Sequence, residues 1–332
     1  MKKYSVLSLI ALLAFITTSC ERKPQETDVV SQKYIHKYGY AVSKSEFEAN
    51  HYPGQVVTML KNGVTITATY ENGVLHGPCT HTFPSSQTIE SYYLYNDGKL
   101  VKQLLYDISG MPVREEVQLS PSRYTTTLWY KSGSPLCIEE FANQELLEGQ
   151  YFNKDNDLES QVVKGQGIRV RRDPDGVLLY RDMVSEGLVT QRETLYPSGT
   201  PETIAFYQNG KLHGEKRSFT AHGEPLSIQE YVQGKLHGKS TFFNNGLRDH
   251  EIYYLDGMKN GLEIHYLDGK TISQEILWEN DKRHGPAKFY NIDGTIANIE
   301  YYYDGKIVSE TKWNEYTRLD EIVSQISPSA RI

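Results

Sequence analysis

The sequence predicts an all-β fold: an elongated single-layer antiparallel sheet of about ten stacked β-hairpin repeats, with short helical caps at both ends. Three observations predict it. Glycine-centred motifs return every 23–24 residues, and aromatic side chains return at fixed distances from them. The composition agrees: 25 Tyr but only 5 Met in a chain of 332 residues that is 38% hydrophobic. Tyr suits half-exposed strand faces. That is too little apolar content for a thick core and too much aromatic content for a disordered chain. A net charge of −7 and a pI near 5.8 argue against a broad nucleic-acid footprint.

Residues 1–19 read as a lipoprotein signal peptide. Lys2 and Lys3 precede an apolar run from Val6 to Ile16, too short for a comfortable membrane span, and small residues follow. Thr17-Thr18-Ser19-Cys20 resembles the lipobox of bacterial lipoproteins, with Thr17 where Leu is usual. The resemblance implies a diacylglyceryl group on Cys20, which becomes the first mature residue, and a palmitate-type anchor. Each buried methylene adds about 0.8 kcal/mol, so several chains on one cysteine hold a protein stably. The expected location is extracytoplasmic, at a periplasmic face or the cell surface, with the body of the protein in water.

Residues 20–33 are polar, contain Pro24 and lack periodicity, so a flexible tether is expected there. Residues 34–69 are assigned to an N-terminal capping segment. Within it, Ser43 and Glu46 form a capping-box pattern that predicts a short helix through about residue 50.

Residues 70–312 are the repeat array. Gly210-Lys-Leu-His-Gly214, Gly234-Lys-Leu-His-Gly238, Gly257-Met-Lys-Asn-Gly261 and Asp281-Lys-Arg-His-Gly285 start 24, 23 and 24 residues apart. Gly73 to Gly77 is the same unit near the other end. Three places before each start stands an aromatic, as at Tyr70, Tyr231, Tyr254 and Trp278. A second aromatic follows nine places after it, at Phe219, Phe243, Tyr266 and Tyr290, and then a second glycine turn. Glycine accepts positive φ without steric cost, so both glycine segments are turns and the β-branched and aromatic stretches between them are strands. One hairpin alone is marginal in water; stability must come from stacking. Each ring is expected to pack on its neighbour one unit along. The consensus decays between residues 120 and 186.

This pattern resembles the variant form of the MORN repeat (membrane occupation and recognition nexus), and is similar to bacterial variant-repeat proteins of the toxin–antitoxin antitoxin kind. The resemblance implies an extended sheet of hairpins with a binding or scaffolding role, no cofactor and no catalytic residue.

Residues 313–332 are expected to form a capping helix, with Leu319, Ile322, Val323 and Ile326 on one face and Pro328 as its stop. Such a helix would cover the last strand.

No catalytic constellation emerges. His76, His213, His237 and His284 occupy equivalent places in different units, so the nearest pair is separated by about 10 Å. Zinc requires ligand atoms at about 2.0–2.1 Å, so a turn-forming role is expected instead of a metal site. Gly165-Gln-Gly167 lacks the third glycine of a dinucleotide fingerprint. Glu115-Glu116 and Glu139-Glu140 are strand neighbours that point to opposite faces and cannot act on one bond. Cys79 and Cys137 fall roughly 25 Å apart on a flat sheet, against a disulfide limit of about 6.8 Å, and are expected to be free thiols.

Arg169, Arg171 and Arg172 form the densest basic spot, in a unit that departs from consensus. They alternate with Ile168 and Val170, as on the solvated face of a strand, and are the candidate contact for an acidic partner or lipid headgroups. The functional expectation is a membrane-anchored, non-enzymatic module that binds or scaffolds a protein partner, without nucleic acid or metal. An antitoxin or immunity-like protein that neutralises a toxin, and a lipid-headgroup binder, are the alternatives.

Overall fold

The computed structural model describes residues 28–326; the expected signal peptide and Cys20 lie outside the described residues. Almost all of it is antiparallel strand, with two short helices. The chain forms two compact units, the first ending at Pro121 and the second starting at Ser122.

The first unit contains β1 (Val29–His36), β2 (Ala41–Val42), β3 (Gly54–Leu60), β4 (Thr65–Glu71), β5 (Val74–Thr82), β6 (Ile89–Asn96), β7 (Lys99–Tyr106) and β8 (Pro112–Ser120). β1 pairs with β2 on one side and β3 on the other. From β3 onward each strand pairs with the next. Regular strand therefore begins at Val29, inside the stretch expected to be a tether. The capping segment itself supplies paired strands, because Tyr34 and Val56 are apolar positions that bury Phe47 of α1 (Lys44–Ala49) beneath them. The capping box is present: the Ser43 hydroxyl accepts the Glu46 N–H, and the Glu46 carboxylate accepts the Ser43 N–H.

In the second unit the strands are β9 (Arg123–Trp129), β10 (Pro135–Ala142), β11 (Glu145–Phe152), β12 (Leu158–Val163), β13 (Gln166–Arg172) and β14 (Leu178–Ser185). They continue with β15 (Leu188–Leu195), β16 (Pro201–Gln208), β17 (Lys211–Phe219), β18 (Pro225–Val232), β19 (Lys235–Asn244) and β20 (Leu247–Leu255). The last are β21 (Met258–Tyr266), β22 (Ile272–Glu279), β23 (Lys282–Arg283), β24 (Gly285–Tyr290), β25 (Ile296–Tyr303) and β26 (Lys306–Val308), followed by α2 (Glu310–Ile326). From β10 to β23 each strand is antiparallel to its predecessor; β22 pairs with both β23 and β24, and β25 and β26 follow antiparallel in turn.

The first turn of each repeat is a two-residue turn with both residues at positive φ, as at Asn209 (50°) and Gly210 (74°). This geometry matches the twist of the strands it joins. Successive turns are tied together: the Gly234 N–H donates to the Leu212 carbonyl and the Gly257 N–H to the Leu236 carbonyl, both at 2.8 Å. Histidines act at the same edge. His76 Nδ1 lies 3.1 Å from Asp97 in the next turn, and His237 Nδ1 lies 3.6 Å from Asp256. His284 Nδ1 accepts the Asp304 N–H. His76 and His284 thus bond to the next turn, and His237 faces an acid there.

Strand alternation gives the second unit two faces. One, called the front here, carries a cross-strand row through Ala205, Ser240, Ile252 and Ile276, all buried although the sheet is a single layer. Tyr207, Tyr231, Tyr254 and Trp278 stand two residues further along the same strands, on the same face. These rings do not stack on each other as expected. Two strand spacings, about 9.6 Å, separate them, beyond ring-contact range. Leu212, Leu236, Lys259 and Arg283 are their register partners instead.

The C-terminal helix exists but packs by other residues than expected. Trp313 and Tyr316 place their rings 5.5 and 4.7 Å from Tyr301 and Tyr303 of β25. Asp320 accepts the Tyr303 hydroxyl hydrogen bond. Leu319 and Ile322 are exposed. The aromatic stripe one turn earlier competes better for β25 because that strand offers three consecutive tyrosines.

Candidate binding surface

Between β9 and β15 the sheet curls. Glu139 on β10 and Arg169 on β13 have β11 and β12 between them, which on a flat sheet sets them about 14 Å apart. They nevertheless form a two-point ion pair, with Arg169 Nε donating to Oε1 at 2.6 Å and Nη2 to Oε2 at 3.1 Å. The turns at one end converge: the Gly187 N–H donates to the Gly165 carbonyl, and the Leu146 N–H to the Gly187 carbonyl. At the opposite strand ends Lys131 pairs with Asp175 at 2.8 Å. The curl encloses Tyr130, Leu136, Cys137, Tyr151, Val162 and Val184, among the most buried side chains of the unit. Here the second unit acquires a core that a flat single layer lacks.

Inside the curl the polar groups satisfy one another. Glu139 also accepts from the Tyr151 hydroxyl at 3.0 Å and from Arg171 Nη2 at 3.3 Å. Asp182, fully buried, is gripped by Arg192 at 2.7 and 2.8 Å. Arg192 lies over the Tyr180 ring at 4.3 Å. Burial alone would raise the Glu139 carboxyl; the charges of Arg169 and Arg171 and the Tyr151 hydroxyl outweigh it and hold the group below the usual carboxylate range. Burial, reinforced by Glu139, pushes the Cys137 thiol up to about 12. Cys137 and Cys79 are both buried.

This corrects the expectation for the arginines. Arg169 and Arg171 do not lie on a solvated strand face: their side chains are 18% and 16% exposed and turned into the curl. Arg172 leaves the cluster and pairs with Glu159 at 2.7 Å. Glu139, the centre of the arrangement, was visible in the sequence only as half of a carboxylate pair. Its neighbour Glu140 points the other way and meets Arg123. The missed signal was phase: 139, 169 and 171 share strand parity, but parity does not reveal curl.

The opposite, or back, face of the second unit is built differently. The residue just before each front aromatic leans over the glycine that ends the Gly-x-x-x-Gly motif: Phe206 over Gly214, Glu230 over Gly238, Tyr253 over Gly261 and Leu277 over Gly285. A Cβ at Gly214 would lie 3.7 Å from Phe206 Cβ, at Gly261 3.2 Å from Tyr253 Cβ, and at Gly285 3.1 Å from Leu277 Cδ1. These glycines have φ near 90–110°, so a side chain is disfavoured there and the space is left to the neighbour. Phe206, Tyr253 and Leu277 remain 39%, 42% and 36% exposed. Ile168 and Met183, paired across β13 and β14, extend the same face and are also exposed. The second aromatics occupy the other strand ends: Tyr266 and Tyr290 donate to Glu251 and Glu275. The hydroxyl of Tyr196 donates to the Phe219 carbonyl. Among the described residues no group of three or more potential metal ligands is clustered.

The family described as MORN repeat matches residues 68–88 and 277–296. No curated protein matches. Among solved structures, TcdB2-TccC3-Cdc42 matches at 11% identity, covering 83% of this chain and 16% of that one, with a TM-score of 0.18. TcdB2-TccC3 without its hypervariable C-terminal region matches at 9% identity, covering 82% and 19%, with a TM-score of 0.13. The chain spans less than a fifth of those structures, and likeness at this level carries no weight for fold or function. The family match falls on β4–β5 in the first unit and on β22–β24 in the second, so two segments of the chain match the MORN repeat.

Proposed function

We propose that the protein is a non-enzymatic repeat module that binds another protein on the extracytoplasmic side of a membrane, held there by acyl chains on Cys20. MORN repeats suggest binding of proteins or membrane lipids. The observation that carries the protein reading is the back face of the second unit, where Ile168, Met183, Phe206, Tyr253 and Leu277 stand exposed on regular strands. Exposed apolar side chains of this kind, here interspersed with Glu215, Glu230 and Lys239, mark interaction sites. A net charge of −7 opposes association with anionic bilayers. A toxin, as in the antitoxin-like alternative, is one protein that such a face would hold.

The test is photo-crosslinking in cells that express the full chain, with the reactive residue at Tyr253 or, as a front-face control, at Gln229. The expected result is a discrete protein adduct from position 253 only, recovered with membranes and released from them by Cys20→Ser. Lipid adducts alone, or equal labelling from both faces, would overturn it.

A further inference from the structure

In the first unit one repeat breaks the back-face rule. Thr69 holds the position of Phe206, Tyr253 and Leu277, and it leans over Gly77 as they lean over their glycines: a Cβ at Gly77 would lie 3.5 Å from Thr69 Cγ2. Threonine is too small to fill the space that an aromatic or leucine side chain takes elsewhere. An open cleft of about 500 Å³ lies there, bounded by Lys37, Gln55, Thr69, Glu71, His76 and Gly77. That volume falls in the range of ligand sites. It is the Thr69 Cγ2 methyl that faces Gly77, while the hydroxyl oxygen is buried away from the cleft.

We propose that this cleft receives a tyrosine side chain of the partner protein, the ring taking the place that Phe206 and Tyr253 fill in later repeats. The rim explains a tyrosine in preference to a purely apolar residue. Lys37 already lies 5.2 Å from the Tyr38 ring and so presents a cation at the mouth. His76 is held by Asp97 and lies 3.6 Å from Glu71, so donors and an acceptor border the slot. An aromatic ring with one polar tip suits a site that is apolar over glycine and polar at its edge. The proposal rests on the protein-binding reading, but it concerns the first unit alone, whereas the crosslinking test reads the second.

The probe is N-acetyl-tyrosine amide, with N-acetyl-alanine amide as control, added to the full chain and followed by saturation-transfer NMR. Ligands of this size bind weakly, on the order of millimolar. The expected result is a saturable signal on the tyrosine ring protons, no signal from the alanine amide, and at least a tenfold loss in Thr69→Phe. That variant copies the Phe206–Gly214 arrangement and closes the slot from within. Should it fail to fold, Thr69→Leu copies Leu277 over Gly285 and is judged by the same criterion. An undiminished signal in the folded variant, or no saturable signal in the unsubstituted protein, would overturn the proposal. Either outcome leaves crosslinking from Tyr253 free to succeed or fail by itself.

Discussion

Glu139 accepts four hydrogen bonds from three side chains, so it is the residue on which the curl most depends. Removing one partner of a buried ion pair leaves the other charge uncompensated, at a cost of about 3–5 kcal/mol. Glu139→Gln is therefore expected to lower the unfolding free energy of the second unit by that order, measured by urea unfolding. The pH dependence has a definite sign. Because the folded-state carboxyl sits below its usual range, its contribution is complete at neutral pH and is lost as pH falls through that lowered value. The glutamine variant should accordingly lose less stability on acidification than the unsubstituted protein. At this scale the sequence was only partly legible. The arginine cluster stood out by composition, but its burial did not, because strand alternation tells which face a residue takes and not whether the sheet bends to cover that face.

The repeats themselves were the most legible elements. Asn209-Gly210 and Asp256-Gly257 announce two-residue turns, and the 24-residue spacing fixes the hairpins between them. The histidine bonds between turns were less visible, since the histidine and its acid belong to different periods. His213 faces a turn that offers Gln233 where Asp97 and Asp256 stand elsewhere. The Nδ1 atoms of His213 and His237 are both buried without a hydrogen-bond partner, so the charge contact to Asp256 is what His213 lacks. Gln233→Asp is expected to supply that charge contact and to raise stability by about 0.3–1 kcal/mol, a gain that shrinks in high salt. Thermal unfolding at low and high ionic strength measures both statements. The terminal helix was legible as a helix but not in its contacts. Its apolar spacing pointed to Leu319 and Ile322, whereas β25 selects Trp313 and Tyr316 through its tyrosines.

For the molecule as a whole, the MORN resemblance rested on the flanking repeats, and the family match falls on two of them. The decayed stretch between them gave no such handle, yet it holds the core cluster of the curl. Departure from consensus there puts Val184 where Tyr207 stands and Glu139 and Asp182 where Ala205 stands, and Arg169 reaches Glu139 to close a curl that the regular period cannot form. The curl also sets the order of assembly. Paired hairpins elsewhere in the second unit join partners within about one repeat of each other, but Arg169–Glu139 and Lys131–Asp175 span 30 and 44 residues. Closing longer loops costs more chain entropy and slows folding. Refolding of the second unit should therefore be biphasic, with hairpin zippering first and curl closure second. Glu139→Gln would shrink the slow phase in amplitude, as stopped-flow fluorescence near Trp129 would record. In the second unit, then, the strands that hold the array together are expected to form early and locally, and the enclosed core of the curl to arrive last.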